Sequence, residues 1–169
     1  RVFRDSEGYM WYGTVNGLCR DDGYHVKVFR SDIETPGLLE DNLVECIAED
    51  KKGNIWVGSS DGALSFKEDF KDPESIVFHL YARIPDDMNC LSNNNVYRIV
   101  TTSQGEVYLA TFGGGLNQLV SMNGEGKAVF KSYTVKDGLP SDILLSVEED
   151  DTGNLWISTE NGLSKFIPS

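Results

Sequence analysis

The sequence predicts an all-β chain of about four consecutive four-stranded antiparallel meanders. Three observations carry that expectation. One phrase is written four times, its aromatic anchors recur at near-regular spacing, and strand-like runs alternate with tight-turn residues. The phrase is Asp-x-x-Gly-x-x-Trp-x-Gly-Thr followed by Asn-Gly-Leu. It begins at Asp5 (Gly8, Trp11, Gly13, Thr14, Gly17, Leu18), returns at Asp50 (Gly53, Trp56, Gly58, Ser59, Gly62, Leu64) and closes at Asp150 (Gly153, Trp156, Ser158, Thr159, Gly162, Leu163). A degenerate copy lies between them (Gly105, Tyr108, Ala110, Thr111, Gly114, Leu116). The anchors Trp11, Trp56, Tyr108 and Trp156 are 45, 52 and 48 residues apart. Periods of about 40 to 50 residues mark arrays or propellers built from one supersecondary unit.

The second copy shows how the unit is made. Leu43–Glu49 holds apolar residues at Leu43, Val44, Ile47 and Ala48 and reads as an inner strand. Asp50-Lys51-Lys52-Gly53-Asn54 is a hairpin turn, because Asp bonds the backbone two residues on and Gly accepts positive φ. Ile55-Trp56-Val57-Gly58-Ser59 is the next strand. Three consecutive apolar residues imply that both of its faces are covered. Asp61-Gly62 turns the chain into a third strand, Ala63–Lys67, and Ile76–Ala82 forms a fourth. A four-stranded antiparallel meander buried on both sides is a propeller blade.

The other copies repeat the pattern position by position. Nine residues before each anchor stand Val2, Ile47, Ile99 and Val147, and the anchors are flanked by Met10 and Tyr12, Ile55 and Val57, Val107 and Leu109, and Leu155 and Ile157. Three residues after them stand the hydroxyls Thr14, Ser59, Thr111 and Thr159, which are expected to bond backbone of an adjacent strand. Inner strands are expected near 43–49, 95–101 and 143–149, and anchor strands near 9–14, 54–60, 106–112 and 154–160. The four anchors are expected to be buried between blades. The expected organisation is one partial β-propeller over 1–169. Its blades cover about 1–30, 43–82, 95–134 and 143–169, the last of them incomplete. Long connectors fall at 31–42, 83–94 and 136–142.

Bulk properties narrow the function. A net charge of −12 opposes binding to nucleic acid, which needs clustered Lys and Arg, and opposes an anionic membrane surface. No run approaches the ~20 apolar residues of a membrane helix. The chain opens at Arg1-Val2-Phe3-Arg4 without a signal peptide and is expected to be a piece of a larger propeller protein. Cys19, Cys46 and Cys90 lack metal-ligand spacing, and Cys19 and Cys46 are expected as small hydrophobes inside strands.

The residues Asp151-Thr152-Gly153-Asn154-Leu155-Trp156-Ile157-Ser158-Thr159, then Gly162-Leu163 and Phe166, closely resemble the two-component regulator propeller repeat. Phe112-Gly113-Gly114-Gly115-Leu116 resembles its glycine-extended turn, and Asp137-Gly138-Leu139-Pro140-Ser141 its typical approach. Tyr108 for Trp, Thr102 for Asp and Ser158 for Gly depart from the pattern. The resemblance implies the periplasmic sensor region of a hybrid two-component system histidine kinase of the Bacteroidetes type, in which propellers precede an immunoglobulin-like domain, a transmembrane helix and the kinase. It further implies detection of oligosaccharides, with the rest of the parent sensor as partner.

No catalytic constellation stands out. His25 and His79 fall in predicted outer strands, and Asp5, Asp50 and Asp150 are turn residues by register. Asp86-Asp87 and Asp150-Asp151 lack the alternating oxygen-ligand spacing of a calcium loop. No catalytic residue, metal or cofactor is therefore expected. The alternatives are a propeller enzyme, such as a lyase or glycan-processing enzyme, and a structural or dimerisation scaffold. For ligand binding the expected face carries the inter-blade connectors and second turns, where loops on a rigid scaffold do the work. Its candidates are Asn16, Asn42, Asp61, Arg83, Asp86, Asn93, Asn94, Asp142 and Asn161. Asn42, Asn94 and Asp142 share one repeat position, 14 residues before the anchor. An arc of four blades leaves two apolar faces open. Self-association of two arcs into a closed ring is therefore expected.

Overall fold

A computed structural model describes residues 1–30, 43–67 and 76–168. Its strands are β1 (Val2–Arg4), β2 (Met10–Thr14), β3 (Gly17–Asp21), β4 (Val26–Phe29), β5 (Cys46–Glu49), β6 (Ile55–Ser59), β7 (Gly62–Phe66), β8 (His79–Tyr81), β9 (Val96–Thr101), β10 (Val107–Thr111), β11 (Leu116–Met122), β12 (Ala128–Tyr133), β13 (Leu144–Glu149), β14 (Leu155–Thr159) and β15 (Gly162–Phe166). They form three four-stranded sheets, β1–β4, β5–β8 and β9–β12, and one three-stranded sheet, β13–β15. Every pairing between neighbours is antiparallel and sequential. Among the described residues the only helical structure is a 3₁₀ turn at Val135–Asp137, capped by Thr134. The fold is all-β and made of propeller blades. Three details differ from expectation. The inner strand of the second sheet begins at Cys46, three residues later than expected. The fourth strand of the second sheet is shorter, His79–Tyr81, and His25 lies just before β4, not within it. The 31–42 connector lies outside the described residues.

The sheets stack face to face, so the core is divided among three interfaces. Trp11 packs with Val44, Ile55 and Val57, joining the first two sheets. Trp56 packs with Val96, Ile99, Val107 and Leu109 between the second and third. Tyr108 packs with Leu144, Val147, Leu155 and Ile157 between the third and fourth. Side chains alternate across a strand. The anchor therefore faces the following sheet, while its two flanking residues face the preceding one.

That alternation explains the burial of each anchor strand. Every residue of β6 and β10 is buried, because a sheet covers each face. In β2 and β14 burial alternates, because only one face is covered. Trp11 and Trp56 are 0% exposed and Tyr108 1%, but Trp156 is 39% exposed. The expectation that all four anchors are buried is thus corrected at Trp156. Its front face meets no further sheet among the described residues, while Leu155 and Ile157 behind it are fully buried.

Candidate functional site

Three of the four repeats are held by a carboxylate bonded to the repeat's own anchor. Asp50 Oδ1 accepts from the Lys52 and Asn54 amides, both at 2.9 Å, which closes the β5–β6 turn. Asp50 Oδ2 accepts from Asn54 Nδ2 at 2.7 Å and from Trp56 Nε1 at 3.0 Å. Asp5 receives Trp11 Nε1 at 2.7 Å, and Asp150 receives Trp156 Nε1 at 2.9 Å. In the third repeat both partners change together. Thr102 closes the turn by accepting the Glu106 amide at 3.1 Å, and Tyr108 has no indole N–H to satisfy. The departures Thr102 and Tyr108 are therefore one coupled substitution. Asp50→Ala removes four accepted hydrogen bonds and leaves a buried indole N–H unpaired. It is expected to cost about 2–4 kcal/mol, measured by urea unfolding.

The repeated hydroxyls also close turns. Thr14, Ser59, Thr111 and Thr159 each donate to the carbonyl of a glycine at or just before the start of the next strand, at 2.9, 3.4, 2.9 and 3.0 Å. They are structural, as their recurrence in every repeat predicts.

The expected ligand residues divide by what they bond. Asn16, Asp61 and Asn161 sit in equivalent turns, β2–β3, β6–β7 and β14–β15, and their amides donate to Thr14, Ser59 and Thr159. All three side chains lie on exposed residues. Asn94 Oδ1 accepts from the Arg83 amide at 2.6 Å, and Asn93 Oδ1 from the Asn95 amide at 2.8 Å. Asp142 Oδ1 accepts from the Val135 amide at 2.7 Å, and its carbonyl accepts from Gly113 and Gly115. Asn94 and Asp142, at one repeat position, thus both brace the connector entering their sheet. Asp86 is exposed with φ 66°, the left-handed region. Asn42 lies outside the described residues. Contacts such as Ser92 Oγ to the Gly114 carbonyl and Ser141 Oγ to Glu160 Oε1 bring connectors and second turns to one end of the sheets.

A larger concavity lies at the opposite end. A cleft of about 610 Å³ opens between the second and third sheets, lined by Lys51, Lys52, Gln104, Gln118, Lys131 and Tyr133 among others. A relay runs along its third-sheet wall: the Tyr133 hydroxyl donates to Gln118 Oε1, and Gln118 Nε2 donates to Glu106 Oε1. None of the eight described candidates lines this cleft. Sequence reasoning passed over it because its lysines come from a turn on one sheet and an outer strand on another.

Titration supports structural roles. Asp150 is held well below the usual carboxylate range, first by the Thr152 hydroxyl and then by the Asn154 amide. Its contribution to stability is present above the unfolded carboxylate value and is lost only in strong acid. Burial pushes the Tyr108 and Tyr81 phenols upward. It also pushes the Cys46 thiol up to about 12. Alkylation needs the thiolate. Cys46 is therefore expected to resist iodoacetamide at pH 8 until the chain unfolds, as mass spectrometry across a denaturant series would show. By the same shift, stability falls as pH rises from the unfolded thiol's value, about 8.5, towards 12. Among the described residues no group of three or more His, Cys, Asp and Glu gathers as a metal site, and no helix is long and apolar enough to cross a membrane.

Residues 37–61 and 138–161 match the two-component regulator propeller family. These two segments are two-component regulator propeller repeats. Each matched segment runs from a Gly-Leu connector through the inner strand and anchor strand to the second turn. The fold recurs in solved structures. One is the extracellular domain assigned to a hybrid two-component system from B. thetaiotaomicron. It has a TM-score of 0.76 and 19% identity, and the match covers 98% of this chain and 24% of that one. Another is the extracellular domain assigned to a one-component system of that organism, with a TM-score of 0.76, 23% identity, and coverage of 97% and 23%. The virginiamycin B lyase of Staphylococcus aureus also shares the fold, with a TM-score of 0.60, 15% identity, and coverage of 99% and 55%. No curated protein matches the chain. The regulator propeller chain thus spans about a quarter of the length of the extracellular domains it is similar to.

Proposed function

We propose that this regulator propeller chain is the ligand-sensing part of a hybrid two-component sensor histidine kinase/response regulator. In this reading it lies in the periplasm and detects oligosaccharides, and the kinase module lies elsewhere in the parent. The observation that carries it is the family match of two repeats, at 37–61 and 138–161. Similarity of fold to extracellular domains of two-component systems supports the placement outside the cytoplasm. The connector end supports the ligand class. It carries the amides and carboxylates of Asn16, Asp61, Asn94 and Asn161 on exposed turns, with Asp86 exposed on the 83–94 connector, and these are groups that bond sugar hydroxyls. The chain itself works here as a binding module and not as an enzyme.

Retention of an oligosaccharide on a glycan array, confirmed by calorimetry on the parent's extracellular region, is the expected result. Asp86→Ala and Asn161→Ala are each expected to weaken that binding about tenfold, the loss of one or two hydrogen bonds. An array with no retained glycan would overturn the reading, as would unchanged affinity in both variants. Conversion of a retained glycan to new products would move the chain to the enzyme class.

A further inference from the structure

The second turn of the third sheet differs from its three counterparts. It reads Phe112-Gly113-Gly114-Gly115, one residue longer than Val15-Asn16-Gly17, Ser60-Asp61-Gly62 and Glu160-Asn161-Gly162. Only this copy places an aromatic residue after the repeated hydroxyl. In the fourth sheet the same place holds Glu160, whose carboxylate accepts from Ser141 Oγ at 3.0 Å and ties the turn to its connector. Phe112 has no such duty. It is 45% exposed and belongs to none of the three inter-sheet cores.

The turn that presents this ring is held firmly. Four consecutive amides are bonded: Phe112 to the Asn95 carbonyl at 2.9 Å, Gly113 and Gly115 to the Asp142 carbonyl at 3.0 and 2.9 Å, and Gly114 to Thr111 Oγ1 at 3.1 Å. Ser92 Oγ adds a bond to the Gly114 carbonyl at 2.7 Å. The turn is thus fixed by the connectors on both sides of it, and a ligand that meets the ring need not order the loop.

Each connector also brings a polar group with capacity left over. From the preceding one comes Asn93. A β-carbon on Gly113 would stand 3.4 Å from Asn93 Nδ2, so that donor lies against the residue next to Phe112. Asn93 Oδ1 accepts from the Asn95 amide, while its Nδ2 donates to no group among the described residues. From the following connector comes Asp142. Its Oδ1 accepts from the Val135 amide, while its Oδ2 accepts from no group among the described residues. Val135, which Asp142 holds, is itself 48% exposed and adds apolar surface.

An aromatic face, a spare donor and a spare acceptor match one chemical group. The flat sides of a pyranose carry C–H bonds, which the negative face of an aromatic ring attracts, and its hydroxyls both donate and accept. The Asp142 carboxylate and a chain charge of −12 oppose uronic or sulfated sugars. We propose that Phe112 is the stacking platform for one pyranose ring of a neutral oligosaccharide, whose hydroxyls donate to Asp142 Oδ2 and accept from Asn93 Nδ2. This rests on the oligosaccharide-sensing function and supplies the apolar contact that ligand sites need, which none of the nine polar residues expected from the sequence provides.

Calorimetry on the parent's extracellular region tests it. The probe is the neutral glycan held most tightly on an array of cello-, xylo-, manno- and galacto-tetraose together with acidic glycans. Phe112→Leu keeps the apolar bulk but loses the aromatic face, and is expected to weaken binding about tenfold. Phe112→Tyr keeps the face and is expected to bind as the unaltered protein does. A mere packing role would not separate these two variants in affinity. Circular dichroism confirms that each variant folds, since Phe112 is exposed. Unchanged affinity in Phe112→Leu, or equal losses in both variants, overturns the stacking site and leaves the sensing function standing. So does retention of acidic glycans alone. An array that retains no glycan overturns both.

Discussion

Replacing Trp56 with Ala is expected to destabilise the chain by about 3–5 kcal/mol, the usual cost of truncating a large core aromatic. Trp56 is 0% exposed and stacks on Tyr81 with ring centroids 5.3 Å apart and planes at 22°. It fills the space between the second and third sheets together with Val96, Ile99, Val107 and Leu109. Its removal leaves a cavity walled on two sides by strands whose backbone bonds resist collapse. It also orphans one lone pair of Asp50. Trp156→Ala supplies the internal comparison. With one face open, it is expected to cost about 1 kcal/mol, the centre of the range for point substitutions. Urea unfolding of both variants decides it. A loss below about 1 kcal/mol for Trp56 would mean that the anchors do not form the inter-sheet core.

Gly62→Ala is expected to cost about 3 kcal/mol or more, and Gly162→Ala only about 1–2 kcal/mol. The two glycines occupy the same repeat position and share the same backbone strain, φ 127° and 130°. An L-residue there costs about 1–2 kcal/mol. They differ in what a β-carbon would meet. At Gly62 it would stand 2.2 Å from the Tyr81 carbonyl oxygen, backbone of the outer strand β8. At Gly162 there is nothing within 4 Å, because the last sheet has no fourth strand. Overpacking against backbone adds about 1–3 kcal/mol. Equal losses in the two variants would show that the outer strand does not press on this turn.

The same pair of glycines shows how far the residues alone reach. Asp-x-x-Gly and Asn-Gly turns, β-branched runs and anchor spacing located the inner and anchor strands to within about one residue, except that β5 begins at Cys46, three residues after the expected 43. Those signals are local: a turn carboxylate, a positive φ and a two-residue alternation act on the backbone that carries them. The weak outer strands were less legible. β8 is three residues long where seven were expected, and His25 falls outside β4. Edge strands lack a neighbour on one side, so their apolar pattern is diluted. Of the candidate ligand residues, the sequence placed Asn94 and Asp142 at equivalent positions. Only their bonds to the Arg83 and Val135 amides show that they brace the connectors.

By itself, then, the sequence determined the repeat, the strand order within each sheet and the turn chemistry. All of these follow from backbone geometry within one copy. The tertiary structure alone decided which anchors are buried, because the burial of Trp11, Trp56 and Tyr108 and the exposure of Trp156 depend on whether another sheet stands in front. It alone revealed the Ser6–Glu49 and Ser103–Glu149 ties and the lysine-lined cleft between the second and third sheets. Each of these joins residues more than 40 positions apart, and no local periodicity encodes how one sheet sits against the next.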